Sequence, residues 1–236
     1  MRGIHLDPLL NSFFANVFPG FKTKFGIPDN LLTTPVPFVE LPLGIDTEKL
    51  LELAKSIELD NMVRKSYPHE DYPRYDNWKI KLLWAEDFES TLLEDIYYQK
   101  KAKPVSGVTA VGSSEQIKFH LKSIGIDVNY CVLSMFGENG YLRPHRDIGL
   151  NPTPLNYFWL PLTDNPGSEL KIYPYGTVDV TLGNLYLLNQ ENFVHAVINR
   201  DNMNRYVLVG HFTTMSENFE QILAESILKR YAVNLT

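Results

Sequence analysis

The chain has a single cysteine, Cys131, among 236 residues. It can form no internal disulfide, which excludes the small disulfide-stapled scaffolds. No apolar run approaches the roughly 20 residues that a membrane-spanning helix needs. Basic residues are outnumbered, with 22 Lys and Arg against 28 Asp and Glu and a formal net charge of −6. That balance speaks against a nucleic-acid or membrane-surface partner. The opening stretch MRGIHLDPLLNSFF has no proper apolar h-region or cleavage site of a secretory signal. No internal repeat, low-complexity tract or interdomain linker breaks the chain. The expectation is a protein of the reducing cytoplasm, with Cys131 a small buried hydrophobe.

Composition is ordinary for a globular domain, 44% hydrophobic and 21% charged. We expect a single domain over 1–236, with a helical and extended support region at 1–125, a β core at 126–215 and a C-terminal helix at 216–236. Residues 1–45 are rich in Phe and Pro and read as an extended aromatic wrap, since disordered segments lack that many aromatics. Asp46–Leu59 has helical spacing at Leu50, Leu53, Ala54 and Ile57, with Asp46 or Thr47 as N-cap. Asn61–Asp76 is polar, Tyr-rich and broken by proline, hence a loop. Trp78, Ile80 and Leu82 alternate as in a strand. Phe88–Lys101 and Glu115–Ser123 read as helices, the latter capped by Ser113 or Ser114 and stopped at Gly125. Ser216–Tyr231 turns Phe219, Ile222, Leu223, Ile227 and Leu228 inward.

The middle of the chain carries the chemistry. Tyr130–Phe136 reads as a strand, Gly137–Gly140 as a turn, and His145-Arg146-Asp147 as the start of the next strand. Strand-like runs follow at Asn156–Leu162, Glu169–Tyr173, Asn184–Asn189 and Arg205–Thr213, with His195 beside the penultimate one. Alternate residues of a strand share a face, so His145 and Asp147 can reach one point. A third ligand, His195, completes two imidazoles and one carboxylate, the facial set that holds Fe(II) and leaves positions open. Arg205 lies ten residues past His195, across the short turn Asn199–Asn204, on a strand expected to pair with the one near His195.

Taken together, Ser134-x10-His145, His145-x-Asp147, Gly183-Asn184-Leu185 leading to His195, and His195-x9-Arg205 resemble the Fe(II)/2-oxoglutarate-dependent oxygenases. The likeness is strongest to the aspartyl/asparaginyl β-hydroxylase and proline-hydroxylase branch, and it covers about Asn129 to Thr214. It implies a mostly β fold with flanking helices, built on a double-stranded β-helix (jelly-roll, cupin-like) core. It also implies a hydroxylase that uses Fe(II), 2-oxoglutarate and O2 and releases succinate and CO2. His145, Asp147 and His195 would bind the metal. Arg205 would take the far carboxylate of 2-oxoglutarate, assisted by Ser134. The β-hydroxylase proper has Gly where this chain has Asp147, which favours a full triad here and argues against a halogenase. That enzyme's second Arg is also missing, since the position holds Pro154.

An arginine suits a carboxylate because its planar guanidinium donates two parallel hydrogen bonds. Each residue has a plainer reading as well. His145 and Asp147 can be a surface pair, Arg205 a surface strand residue and Ser134 a small interior residue. His211 can line the pocket or be a hydrogen-bonded core histidine. Arg146 should point to solvent, while Arg143 shares the parity of His145 and can reach substrate if Pro144 does not break the strand. Tyr157 and Trp159, with Tyr173 and Tyr175, are either pocket walls or sheet-favouring aromatics. The loop Asn61–Asp76 is either a lid or a solvated connector. The substrate is expected to be a small molecule, an amino acid or a peptidyl residue. The rival readings are a cupin-like metalloenzyme without 2-oxoglutarate and a non-catalytic β-helix binding domain.

Overall fold

A computed structural model describes residues 21–26, 37–61, 75–86, 107–147, 157–190 and 193–231. The expected helix Phe88–Lys101, the loop Gly149–Pro154 and most of the loop Asn61–Asp76, with His69, Glu70, Asp71, Tyr72 and Arg74, lie outside them. In chain order the elements are α1 (Phe21–Phe25), β1 (Phe38–Leu41), α2 (Thr47–Lys55), β2 (Asp60–Asn61), β3 (Tyr75–Ala85), α3 (Ser113–Ser123) and β4 (Ile126–His145). There follow β5 (Tyr157–Pro161), β6 (Ser168–Ile172), β7 (Gly176–Val178), β8 (Leu185–Leu188), β9 (His195–Asn199), β10 (Arg205–Met215) and α4 (Glu217–Tyr231). The fold is mostly antiparallel β, one curled sheet with helices on its outer face, as expected of a jelly-roll core.

β4 organises the sheet. Its first part pairs with β10, from Met215↔Ile126 to Arg205↔Phe136. Its last part pairs with β9, from Tyr141↔Ile198 to His145↔His195. Its other edge pairs with β3, from Tyr75↔Leu142 to Ala85↔Tyr130. Beyond β10 the sheet continues β5, β8, β1, and beyond β9 it continues β6, β7. The N-terminal support region therefore contributes β1, β2 and β3 to the same sheet as the core.

Three sequence expectations are corrected here. Gly137–Gly140 is not a turn between strands, since β4 runs through it for 20 residues. A Cβ on Gly140 would lie 2.7 Å from the Asn77 carbonyl and 2.8 Å from that of Gly137. The glycine thus permits close approach of β3 and β4 rather than chain reversal. His145 ends this strand instead of beginning one, with Asp147 just past it. Arg205's strand pairs with β4 and β5, not with β9; after Asn199–Asn204 the chain continues along the same edge of β4 that β9 began.

Period-2 alternation separates two cores. On the outer face Leu133, Phe158, Leu187 and Leu208 pack with Leu50 of α2, Ile117 and Leu121 of α3 and Phe219, Leu223 and Ile227 of α4. The inner face carries Phe136, Trp159, Tyr186, Leu188 and Val207. α2 starts where Asp46 accepts from the Glu48 and Lys49 amides, as its sequence predicts. α3 starts earlier than expected: its N-cap is Gly112, and Ser114 bonds back to Val111. α4 is capped by Ser216, whose Oγ accepts from the Phe219 amide at 3.3 Å. No helix among the described residues is long and apolar enough to cross a membrane.

Candidate metal centre

Where β4 ends against β9, the pair His145↔His195 brings the two imidazoles side by side, ring centroids 4.3 Å apart. Asp147 is held next to them by its own amide, which donates to the Gln190 carbonyl at 3.2 Å. Its carboxylate oxygens lie 3.4 Å from His145 Nε2 and 3.7 Å from His195 Nε2. One ligand atom from each residue falls within 4.8 Å of the others. Donors about 2.1 Å from a shared ion would stand on the order of 3 Å apart, so small side-chain movements suffice to fit one ion.

Backbone geometry orients the rings. His145 Nδ1 donates to the Arg143 carbonyl at 2.7 Å, which leaves Nε2 as the free lone pair facing Asp147. His195 Nδ1 faces the Phe193 carbonyl at 3.4 Å in a looser version of the same contact. Tying one imidazole nitrogen to a carbonyl fixes the tautomer and makes the other a better ligand. Arg143 therefore acts through its main chain. Its side chain is not among those lining the cavity. Arg146 is exposed, as expected.

The three residues line an inner cavity of about 120 Å³. Trp78, Ile80, Phe136, Trp159, Leu170 and Val197 form much of its wall. Tyr157 and Trp159 line it, as the sequence suggested they could. Tyr173 and Tyr175 do not; they are exposed. Burial, reinforced by the Asp147 carboxylate, pushes the Tyr157 phenol above its usual range, so it keeps its proton. Ser134 is buried in the wall and its Oγ accepts from Trp78 Nε1 at 2.5 Å. That bond uses a lone pair and leaves the hydroxyl proton to donate.

Arg205 shares the inner face with Ser134 and Val209 but is not in the cavity wall. Its guanidinium sits 4.9 Å from the ring of Trp159, which is. It is 2% exposed, and Nη1 donates to the Glu169 carbonyl at 3.2 Å. Burial lowers its pKa to about 10. Among the described residues no carboxylate stands within ion-pairing distance of it. A second, polar cavity of about 280 Å³ opens on its other side, beside Asn165 and Asp179. His211 is not in the metal cavity wall; its Nδ1 meets Asn129 Oδ1 at 2.9 Å. Gln190 and Trp78 belong to the wall but were not read as site residues. Trp78 was marked by its alternation with Ile80, whereas nothing in the spacing marks Gln190.

No protein-family model matches the sequence, and no curated protein does. Solved structures do. A 2OG-Fe(II) oxygenase family oxidoreductase from Burkholderia pseudomallei superposes with a TM-score of 0.50 at 12% identity, over 76% of this chain and 87% of that one. A Trichoplax adhaerens prolyl hydroxylase, solved with a hypoxia inducible factor peptide, gives 0.47 at 12% identity, over 87% and 94% of the two chains. A Pseudomonas putida prolyl-4-hydroxylase gives 0.45 at 12%, over 76% and 94%. These last two overlap too loosely to bear on the fold. The first shows a shared fold: the chain has the jelly-roll fold of a 2OG-Fe(II) oxygenase family structure.

Proposed function

We propose that this protein is an Fe(II)- and 2-oxoglutarate-dependent oxygenase, a single domain over 1–236, that hydroxylates a small molecule, an amino acid or a peptidyl residue. The observation that carries this reading is the convergence of His145, Asp147 and His195 in the wall of an inner cavity. Two imidazoles and a carboxylate suit Fe(II), and the carboxylate offsets one of its charges. Bound there, iron with 2-oxoglutarate supplies O2 activation: one oxygen atom goes to a substrate C–H bond, the other to succinate, and CO2 leaves. The chain's own part is positional. Arg143 and Phe193 carbonyls hold the imidazoles, and apolar walls exclude water. The protonated Tyr157 can donate a hydrogen bond beside Asp147.

Arg205, assisted by the Ser134 proton, is proposed to take the far carboxylate of 2-oxoglutarate. Support comes from its state: a buried cation without a carboxylate partner is costly, and an anionic ligand would relieve it. Arg205 stacks on Trp159, which lines the cavity, but does not itself line it. That placement favours a second reading, a cupin-like metalloenzyme that does not use 2-oxoglutarate.

Anaerobic titration of the Fe(II)-loaded protein with 2-oxoglutarate separates the two. The first reading expects a visible metal-to-ligand charge-transfer band, absent in His195→Ala. Arg205→Met should weaken 2-oxoglutarate binding by roughly 3–5 kcal/mol. Iron bound without a band would leave the second reading standing.

A further inference from the structure

Among the polar side chains of the cavity wall, one has a donor with no partner. Gln190 is 8% exposed, lines the cavity, and its Nε2 has no hydrogen-bond partner. The amide lies close enough to the Tyr157 oxygen to influence it, yet out of hydrogen-bonding geometry. Buried amides are almost always satisfied, and an orphan calls for an explanation. Its position is fixed from the main chain, because the Gln190 carbonyl accepts from the Asp147 amide. A donor is thus anchored one hydrogen bond away from the metal carboxylate.

The rest of the wall limits what can sit there. Beyond His145, Asp147 and His195, no charged side chain lines the cavity among the described residues. Ile80, Val132, Leu142, Leu188 and Val209 present only hydrocarbon. A substrate charge would enter without a counter-ion, whereas an apolar body would be buried favourably.

We propose that Gln190 is a specificity-determining residue whose side-chain amide donates a hydrogen bond to a carbonyl oxygen of the substrate, and that the substrate portion entering the cavity is neutral and largely apolar. This rests on the reading of the cavity as the reaction chamber. It extends that reading from an unspecified substrate to a chemical class. A site built around such a donor discriminates strongly, since an analogue without the acceptor leaves the amide unpaired.

Three probes of one shape test this: phenylacetone, isobutylbenzene, in which a methyl replaces the carbonyl oxygen, and phenylacetate, which adds a charge. Trp78 and Trp159 line the cavity, so their emission in the Zn(II)-loaded protein reports binding. The variant is Gln190→Leu, which keeps the bulk and the backbone bond to Asp147. We expect it to weaken phenylacetone about tenfold, the worth of one hydrogen bond. Isobutylbenzene should stay within about twofold, because its contacts are unchanged. The variant should also unfold no earlier than the parent, because it removes an orphan donor.

Equal weakening of both neutral probes would overturn the proposal, by showing that Gln190 only packs against or positions Tyr157. So would earlier unfolding, binding of none of the probes, preference for phenylacetate, or displacement of phenylacetone by 2-oxoglutarate. Titration of 2-oxoglutarate alone runs in parallel. Its failure to bind would remove the co-substrate while leaving the probe ratios readable, so the two readings fail separately.

Discussion

Asn199→Ala should be among the most damaging single substitutions away from the metal. Asn199 is fully buried at the end of β9. Its Nδ2 donates to the carbonyls of Phe136 and Gly137, each at 3.0 Å, and of Met203 at 2.8 Å. Its Oδ1 accepts from Ser168 Oγ at 2.6 Å and from the Asp201 amide at 3.3 Å. One side chain thus joins β4, β6, β9 and the link into β10. The two amide protons are shared among three carbonyls, so two full bonds are lost there and about one more at the Ser168 hydroxyl. At about 1 kcal/mol each, plus about 1–2 kcal/mol for a carbonyl stranded without water, the loss is roughly 4 kcal/mol. Against a total of about 5–15 kcal/mol this is a large fraction. With a guanidinium slope near 4 kcal/mol/M, the midpoint should fall by about 1 M. Equilibrium unfolding followed by tryptophan emission and far-ultraviolet dichroism measures it in the metal-free protein. Zn(II) at about a thousand times its dissociation constant should restore roughly 4 kcal/mol by mass action. A loss below about 1 kcal/mol would refute the reasoning, by showing that water replaces the amide.

Burial lowers the His211 pKa to about 4, from an ordinary value of 6.5. Below pH 6.5 the unfolded chain takes up a proton that the folded chain refuses. Stability is therefore full above pH 6.5 and falls as pH drops toward 4, by on the order of 2–3 kcal/mol. His211→Gln should flatten that part of the pH–stability curve, and an unchanged slope would mean that another group titrates. Gly210→Ala places a Cβ against the Tyr130 carbonyl and the Phe158 ring, in a strand hemmed by β4 and β5. Overpacking of that kind costs about 1–3 kcal/mol, read as a lower thermal midpoint; an unchanged midpoint would show that the strands can spread. Ser134→Ala removes the acceptor of the Trp78 indole. It should cost about 1–2 kcal/mol and shift Trp78 emission, and silence in both would mean the contact carries no weight.

The strands and the convergence of His145, Asp147 and His195 were legible because period and spacing are local properties. His145-x-Asp147 reaches one point by strand parity, and the run into His195 brings the third donor opposite. The Asp46 cap and the inward face of α4 followed from local rules in the same way. What failed was non-local. Gly137–Gly140 looks like a turn because glycine marks both reversals and close backbone approach, and only the partner strand β3 tells them apart. The link after Asn199 looks like a hairpin because nothing local records that β10 continues along the edge of β4 that β9 began. The parity of Arg205 was readable, but its stacking on Trp159, which lines the cavity while Arg205 does not, was not. Gln190 lies in no periodic pattern, and its importance comes from what it fails to bond.

The length of β4 also sets an order of events during synthesis. When β4 has left the ribosome, β3 is already available to pair along one edge. The other edge must wait for β9 and then β10, the last strands of the sheet. Until they emerge, the nascent chain displays an open strand edge and the apolar inner face around Phe136. Because His195 arrives with that delayed partner, His145, Asp147 and His195 cannot come together until the sheet closes. On the proposed reading, metal capture therefore belongs to the last stage of folding.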